Sequence, residues 1–147
     1  MAFLLDTNVV SELRKSAPHP RVAEWHATHS HAVVYLSTLV VGEIRRGIDR
    51  LRSRDPKQAD VLERWLTGLN ASYRERLLPV TAEIAEEWGR MSATTQPPPV
   101  IDGLMAATAR VHGLTLVTRN IADVARTGVP LVNPFGSVSD RQRRHGR

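Results

Sequence analysis

The stretch Ala2-Phe3-Leu4-Leu5-Asp6-Thr7-Asn8-Val9-Val10 sets the fold class. Ala2 to Leu5 is a continuous apolar run, as in a strand covered on both faces; Val9, Val10 and Leu13 then take a helical period over Thr7 to Lys15. A strand that yields directly to a helix is the opening of an α/β unit, and the pattern repeats downstream. A helix follows Pro20 through Val22, Ala23, Trp25 and His26, and Ala32 to Leu36 reads as a buried strand. Ser37 or Thr38 then caps a helix with Val40, Ile44, Ile48 and Leu51 on one stripe, ending near Arg54-Asp55-Pro56. A further helix covers Lys57 to Asn70, with Val61, Leu62, Trp65, Leu66 and Leu69 inward, before a short strand at Arg76 to Val80. Thr81 caps a helix containing Ile84, Ala85 and Trp88, and Glu83 suits the positive end of its dipole. Pro97-Pro98-Pro99 stops that helix and sets up another, which buries Ile101, Leu104, Met105, Thr108 and Val111 and closes at His112-Gly113. Strands at Leu114 to Val117 and Gly128 to Val132 complete an α/β domain with a largely parallel sheet, whose ligands bind beyond the carboxyl ends of the strands.

The 147 residues suit a single domain, expected over 1–136, followed by a basic tail at 137–147. Four arginines and one aspartate in residues 140–147 supply +3 of the formal charge of +5, so the body carries only +2 and pooled charge says little about partners. The tail has almost no apolar content and is expected to be a solvated, frayed end. Eighteen of the twenty basic residues are arginine, which favours bidentate contacts to phosphate and carboxylate. There is no cysteine, which removes disulfides, thiolate zinc sites and cysteine nucleophiles and leaves oxygen and imidazole as metal donors. Asp6 arrives too early for a signal peptide, and no apolar run approaches the roughly 20 residues of a membrane helix. A soluble, cytoplasmic protein is expected.

Three carboxylates interrupt apolar runs: Asp6, Glu43 in Val41-Gly42-Glu43-Ile44, and Asp102 in Val100-Ile101-Asp102-Gly103-Leu104. Leaving such a group charged and unpaired in low dielectric costs several kcal/mol. Thr118-Arg119-Asn120 with Asp123 follows the apolar run Leu114 to Val117 and adds oxygen ligands at another strand end. If these ends adjoin, Asp6, Glu43, Asp102 and Asp123 form a negative pocket that needs a counter-ion, and Mg²⁺ or Mn²⁺ fits the donors. Hydrolysis of a phosphodiester follows from such an ion, which acidifies water and neutralises the scissile phosphate.

These residues resemble the PIN-domain ribonucleases, and within them the VapC-like toxins of toxin-antitoxin pairs. The resemblance runs from Ala2 to Phe135 through Leu5-Asp6-Thr7-Asn8-Val9, Gly42-Glu43-Ile44 with Arg46-Gly47, Ile101-Asp102 with Ala106-Ala107-Thr108-Ala109, and Val117-Thr118-Arg119-Asn120 with Asp123. The closing Thr127-Gly128-Val129-Pro130-Leu131-Val132-Asn133-Pro134-Phe135 is similar to the family's end as well. It implies a PIN-like α/β/α sandwich and a metal-dependent endoribonuclease that cuts single-stranded or loop RNA and is neutralised by a small VapB-like antitoxin. A homodimer and a larger toxin-antitoxin assembly are implied too. In this reading Asp6, Glu43, Asp102 and Asp123 carry the metal, and Asn120, which stands where the family often has aspartate, orients water or metal. Thr7, Asn8 and Thr118 donate hydrogen bonds that hold the carboxylate rotamers, and Arg119 meets an RNA phosphate.

Each residue also has a plainer role. Asp6 could merely cap a helix, Glu43 pair with Arg46 or Arg50, Asp102 complement a helix dipole and Asp123 end a loop. Independent caps have no reason to fall at four of the family's positions in order. Two rivals remain: an aspartyl-phosphate phosphatase, which wants an aspartate where this chain has Asn8, and a catalytically silent PIN-fold binding protein whose acidic pocket takes a partner's arginine. Trp25, Trp65 and Trp88 read as packing residues, His26, His29 and His31 lack a companion zinc motif, and Arg45, Arg46, Arg50, Arg52 and Arg54 read as a solvated face.

Overall fold

Five short strands pair into one parallel sheet of order β3-β2-β1-β4-β5 in the computed structural model, which describes residues 1–136. The chain runs β1 (Ala2–Leu5), α1 (Thr7–Arg14), α2 (Pro20–Thr28), β2 (Val33–Ser37), α3 (Thr38–Arg52), α4 (Pro56–Ser72) and β3 (Leu77–Leu78). It continues through α5 (Ala82–Ser92), α6 (Val100–His112), β4 (Thr115–Val117), α7 (Ile121–Val124) and β5 (Leu131–Val132), with 3-10 turns at Arg74–Arg76 and Ala125–Thr127. The expected alternation and the parallel sheet are both present. The arginine-rich tail lies outside the described residues, and among those residues no helix is long and apolar enough to cross a membrane.

From β1 the chain steps outward on one side to β2 and β3, then crosses back to β4 and β5 on the other. Parallel crossovers are right-handed, so reversing their direction puts α1 to α4 on one face and α5 to α7 on the opposite one. Both faces are covered, which explains why β1 and β4 have no polar alternation: Phe3, Leu4, Leu5, Leu116 and Val117 are all buried. Trp25 joins this core, edge-on to Phe3 at 5.2 Å between ring centroids. The reversal also opens a crevice at the carboxyl ends of β1 and β4, the place where such sheets take ligands. Register fixes the level of that crevice, since Leu5 pairs with Val117 and Val117 with Val132.

Local chemistry sets the element ends. Ser37 accepts from the Leu39 N–H at 3.1 Å and Thr81 from the Ile84 N–H at 3.2 Å, as helix caps do. Gly113 closes α6 at φ 65°, a left-handed conformation that glycine adopts without a Cβ penalty. Several expectations are corrected. The strand expected at Arg76 to Val80 reduces to Leu77–Leu78 because Pro79 has no N–H to offer, and Pro130 shortens β5 in the same way. Val33 and Val61 are half exposed rather than inward. In α6 the fully buried face is Gly103, Met105, Ala106, Ala107, Thr108 and Ala109, while Ile101, Leu104 and Val111 are only partly covered. Small residues dominate there because α6 lies between α5 and the sheet.

Gly103 shows how tight that fit is. A Cβ at this position would stand 3.0 Å from Trp88 Cδ1 and 3.2 Å from Pro98 Cγ. Gly68 in α4 has open space around it. Gly103→Ala should therefore destabilise the fold by about 1–3 kcal/mol through overpacking, whereas Gly68→Ala should stabilise it by about 0.5–1 kcal/mol through helix propensity. Urea midpoints at constant slope would read both, and a neutral Gly103→Ala would show that α5 is free to move away.

Candidate functional site

Asp6 is the residue immediately after the central strand, and its backbone N–H continues the ladder to the Val117 carbonyl at 2.9 Å. Its side chain is buried, 5% exposed, yet no cation meets it among the described residues. Instead it takes neutral donors: the Thr7 N–H at 2.8 Å, the Thr118 hydroxyl at 2.7 Å and, more loosely, the Asn8 amide at 3.4 Å. These bonds hold the carboxylate in one rotamer and leave its negative charge uncancelled. Asp6 does cap α1, so the plain reading and the functional one coexist in the same side chain.

Thr118 follows β4 as Asp6 follows β1, so the parallel pairing alone brings them side by side. The Thr118 hydroxyl also accepts the Asn120 N–H at 3.0 Å, and the Asn8 side chain accepts the Arg119 N–H at 3.2 Å. The two strand-end loops are thereby laced together. On the other side the Thr7 hydroxyl donates to Glu43 Oε1 at 2.6 Å, which ties α3 to the start of α1. Glu43 is partly buried and is held by this hydroxyl, not by Arg46 or Arg50.

Asp102 sits in the first turn of α6. Burial pushes its carboxyl up to about 6, the charges of Asp6 and Asp123 push the same way, the Asn120 amide opposes them, and Glu43 adds a smaller upward push. That list of neighbours places Asp6, Glu43, Asp102 and Asp123 in one electrostatic unit with Asn120 among them. Asp123, in the first turn of the four-residue α7, and Asn120 are exposed and form the outer rim. No group of three or more His, Asp or Glu side chains among the described residues is drawn tightly enough to hold an ion as it stands. The donor set still fits a hard cation of the Mg²⁺ type, which needs one or two carboxylates and fills its remaining positions with water. His26, His29 and His31 do not join the site; His29 stacks on Trp25.

Two grooves lead away from the carboxylates. One, of about 240 Å³ and mostly apolar, is lined by Thr7, Ser11, Arg14, Glu43, Gly47, Leu62 and Trp65. The other, of about 330 Å³ and with a mixed polar and apolar lining, takes in Asp123 and lies between Arg126 and the segment Thr94 to Pro99. Sequence reasoning does not find this second groove. The three prolines are its only visible signal, and they speak for a helix boundary. Arg119 lies at the crevice with its guanidinium over the Phe135 ring at 4.0 Å.

A model of the PIN domain matches residues 3–128. The chain is 34% identical over 138 residues to Toxin FitB of Neisseria gonorrhoeae, covering 90% of this chain and 98% of that one. It is 28% identical over 138 residues to VapC ribonuclease Y4jK of Sinorhizobium fredii, covering 90% and 97%. The crystal structure of FitAcB from Neisseria gonorrhoeae contains a chain that superposes with a TM-score of 0.81 at 32% identity, covering 93% of this chain and all of that one. With the strand order, the switch-point carboxylates and these matches in agreement, the chain belongs to the PIN domain family.

Proposed function

We propose that the protein is a toxin-type endoribonuclease, dependent on Mg²⁺ or Mn²⁺, that hydrolyses single-stranded or loop RNA and is silenced by a small antitoxin. The observation that carries this reading is the gathering of four carboxylates at the sheet's switch point with Asp102 pushed up to about 6 by burial and its acidic neighbours. Structural ion pairs do not look like this, because they bring a cation of the chain's own. The ribonuclease and toxin named among the relatives support the substrate and the biological role.

When bound, the divalent ion would acidify a water molecule and neutralise charge on the scissile phosphate and the leaving oxygen. Asp6, Glu43 and Asp102 would hold it. Thr118 and Thr7 keep the carboxylates of Asp6 and Glu43 aimed inward, while Asn120 and Asp123 on the rim orient the attacking water in line with the leaving 3′-oxygen. The products would be a 5′-phosphate and a 3′-hydroxyl. A phosphatase role for Asp6 fares worse, since Asn8 spends its amide on Asp6 and its carbonyl on the Arg119 N–H and has no proton to lend a leaving group. The antitoxin finds an apolar surface in the groove from Glu43 to Trp65, where a basic side chain entering at the carboxylate end would cancel the site's charge. A homodimer and a larger toxin-antitoxin assembly complete the proposal.

Three outcomes are expected. Antitoxin-free protein should cut mixed cellular RNA with Mg²⁺ or Mn²⁺ and not with EDTA, and Asp6→Asn or Asp102→Asn should lose cleavage while remaining folded; intact RNA under every condition would leave the binding-protein reading ahead. Thr118→Val should lower cleavage about 10–100-fold by freeing the Asp6 rotamer. Unchanged rates would mean that this hydroxyl serves folding alone.

The third concerns pH. Asp102 ordinarily titrates near 3.8 but is pushed up to about 6 in the folded chain, so its protonated form favours folding at low pH and that contribution is lost as pH rises through about 6. In metal-free protein Asp102→Asn should accordingly be the more stable form at pH 7.5, by about 1–2 kcal/mol once solvent screening of a half-exposed group is allowed for. The advantage should vanish toward pH 4. Chemical denaturation at the two pH values tests this, and an equal advantage at both would trace it to helix propensity instead.

A further inference from the structure

The groove beside Asp123 sets a positive charge next to the acidic site. Its wall at Arg126 carries a guanidinium that makes no ion pair among the described residues and donates only to the neutral Gln96 side chain. Arg45 pairs with Glu63 and Asp49, Arg52 with Asp60 and Glu63, and Arg110 with Glu87; Arg126 is one of several exposed arginines without such a partner among the described residues, and it is the one that lines this groove. Arg110 also donates to the Thr127 carbonyl, which ties the 3-10 turn carrying Arg126 to α6. The opposite wall is stiffened by the fixed φ of Pro97 to Pro99, and Pro98 packs against Gly103, next in sequence to Asp102. A groove of about 330 Å³ thus holds both the rim carboxylate Asp123 and a guanidinium unpaired among the described residues.

That polarity suits one kind of occupant. An RNA strand reaching the carboxylates brings a phosphate every nucleotide, and the phosphates beside the scissile one are repelled by Asp6, Glu43, Asp102 and Asp123 unless a cation offsets them. We propose that the Arg126–Gln96 groove is the binding channel for the RNA strand flanking the cleavage point, with Arg126 clamping a phosphate bidentately and the proline wall receiving the adjoining ribose and base. This deepens the function proposed above and rests on it. The guanidinium exchanges its bond to Gln96 for a charge-assisted bond to phosphate, which is about twice as strong as a neutral one. Arg126 is here a binding residue, outside the chemical step, so its loss should weaken the substrate complex and spare turnover.

The test uses the full chain and a fluorescein-labelled single-stranded RNA of mixed sequence. In the cleavage assay Arg126→Ala should raise KM about 10-fold with kcat within about 2-fold of the parent, Arg126→Lys should recover part of the loss, and Arg45→Ala, a charge removed from the far α3–α4 face, should change neither. In the cleavage-silent Asp6→Asn background, binding of the same RNA between about 50 and 200 mM salt should lose about one unit of salt slope when Arg126 becomes Ala. Thermal melting confirms that each variant is folded. Unchanged KM and slope in Arg126→Ala overturn the channel, and an effect equalled by Arg45→Ala reduces it to general charge attraction. A parent protein that never cleaves defeats the ribonuclease reading, yet the salt slope still decides whether RNA lies against Arg126.

Discussion

The hydrogen bond from the Thr118 hydroxyl to Asp6 Oδ2, 2.7 Å long and spanning 112 residues of chain, is the contact around which the structure is organised. It exists because β1 and β4 are parallel neighbours in a register that pairs Leu5 with Val117, so the next residue of each strand emerges at the same level. Every apolar side chain of the two strands serves that register. A slip by one residue would turn Asp6 into the core and Leu5 into the crevice, at the cost of burying an unpaired charge. The hydrophobic sheet and the polar site are two consequences of one alignment.

The site is built to remain under electrostatic tension. Neutral donors from Thr7, Thr118 and Asn8 are enough to keep Asp6 in place, and they leave its charge for something outside the chain to cancel. Arginines are abundant, but Arg45 and Arg52 on α3 pair with α4 carboxylates at the surface, as Arg45 does with Glu63 at 2.8 Å. Had any of them reached the crevice, the carboxylates would have been satisfied internally. The repulsion that raises Asp102 therefore belongs to the same arrangement that makes room for a metal or for a partner's basic side chain.

Much of this can be read in the chain itself, for identifiable reasons. Asp6 and Asp102 stand out because each breaks an apolar run, and the strand-helix alternation follows from short, unbroken apolar segments such as Phe3 to Leu5, which mark strands covered on both faces. Glu43 also breaks an apolar run and Asp123 follows one, but only the family's ordered motifs set them apart from ordinary surface carboxylates. Glu43 sits at the edge of an amphipathic stripe where many glutamates are merely solvated, and Asp123 lies in a helix of four residues that no periodicity can reveal. Burial within α6 escapes the sequence because a helix sandwiched between α5 and the sheet buries its alanines and Gly103 first, whereas periodicity ranks Leu104 and Val111 above them. The groove at Arg126 is invisible there because Gln96 and Arg126 lie 30 residues apart in segments without a repeating pattern.

The two grooves give the carboxylates opposite kinds of access, and that division has a physical basis in what lines them. Toward Glu43 the walls combine Ile44, Gly47, Ile48, Leu62 and Trp65 with the hydroxyls of Thr7 and Ser11 and the Arg14 guanidinium, a mostly apolar surface on which a protein segment would gain. Toward Asp123 the walls offer hydroxyls, an amide and a guanidinium beside Met91 and three prolines, a mixed surface that suits the strand proposed above. On the proposed function, a single acidic centre would serve a nucleic acid arriving from one side and a silencing protein arriving from the other. Because both must finish at the same carboxylates, a basic side chain lodged among Asp6, Glu43 and Asp102 would exclude the divalent ion by charge alone, without ever touching the channel at Arg126.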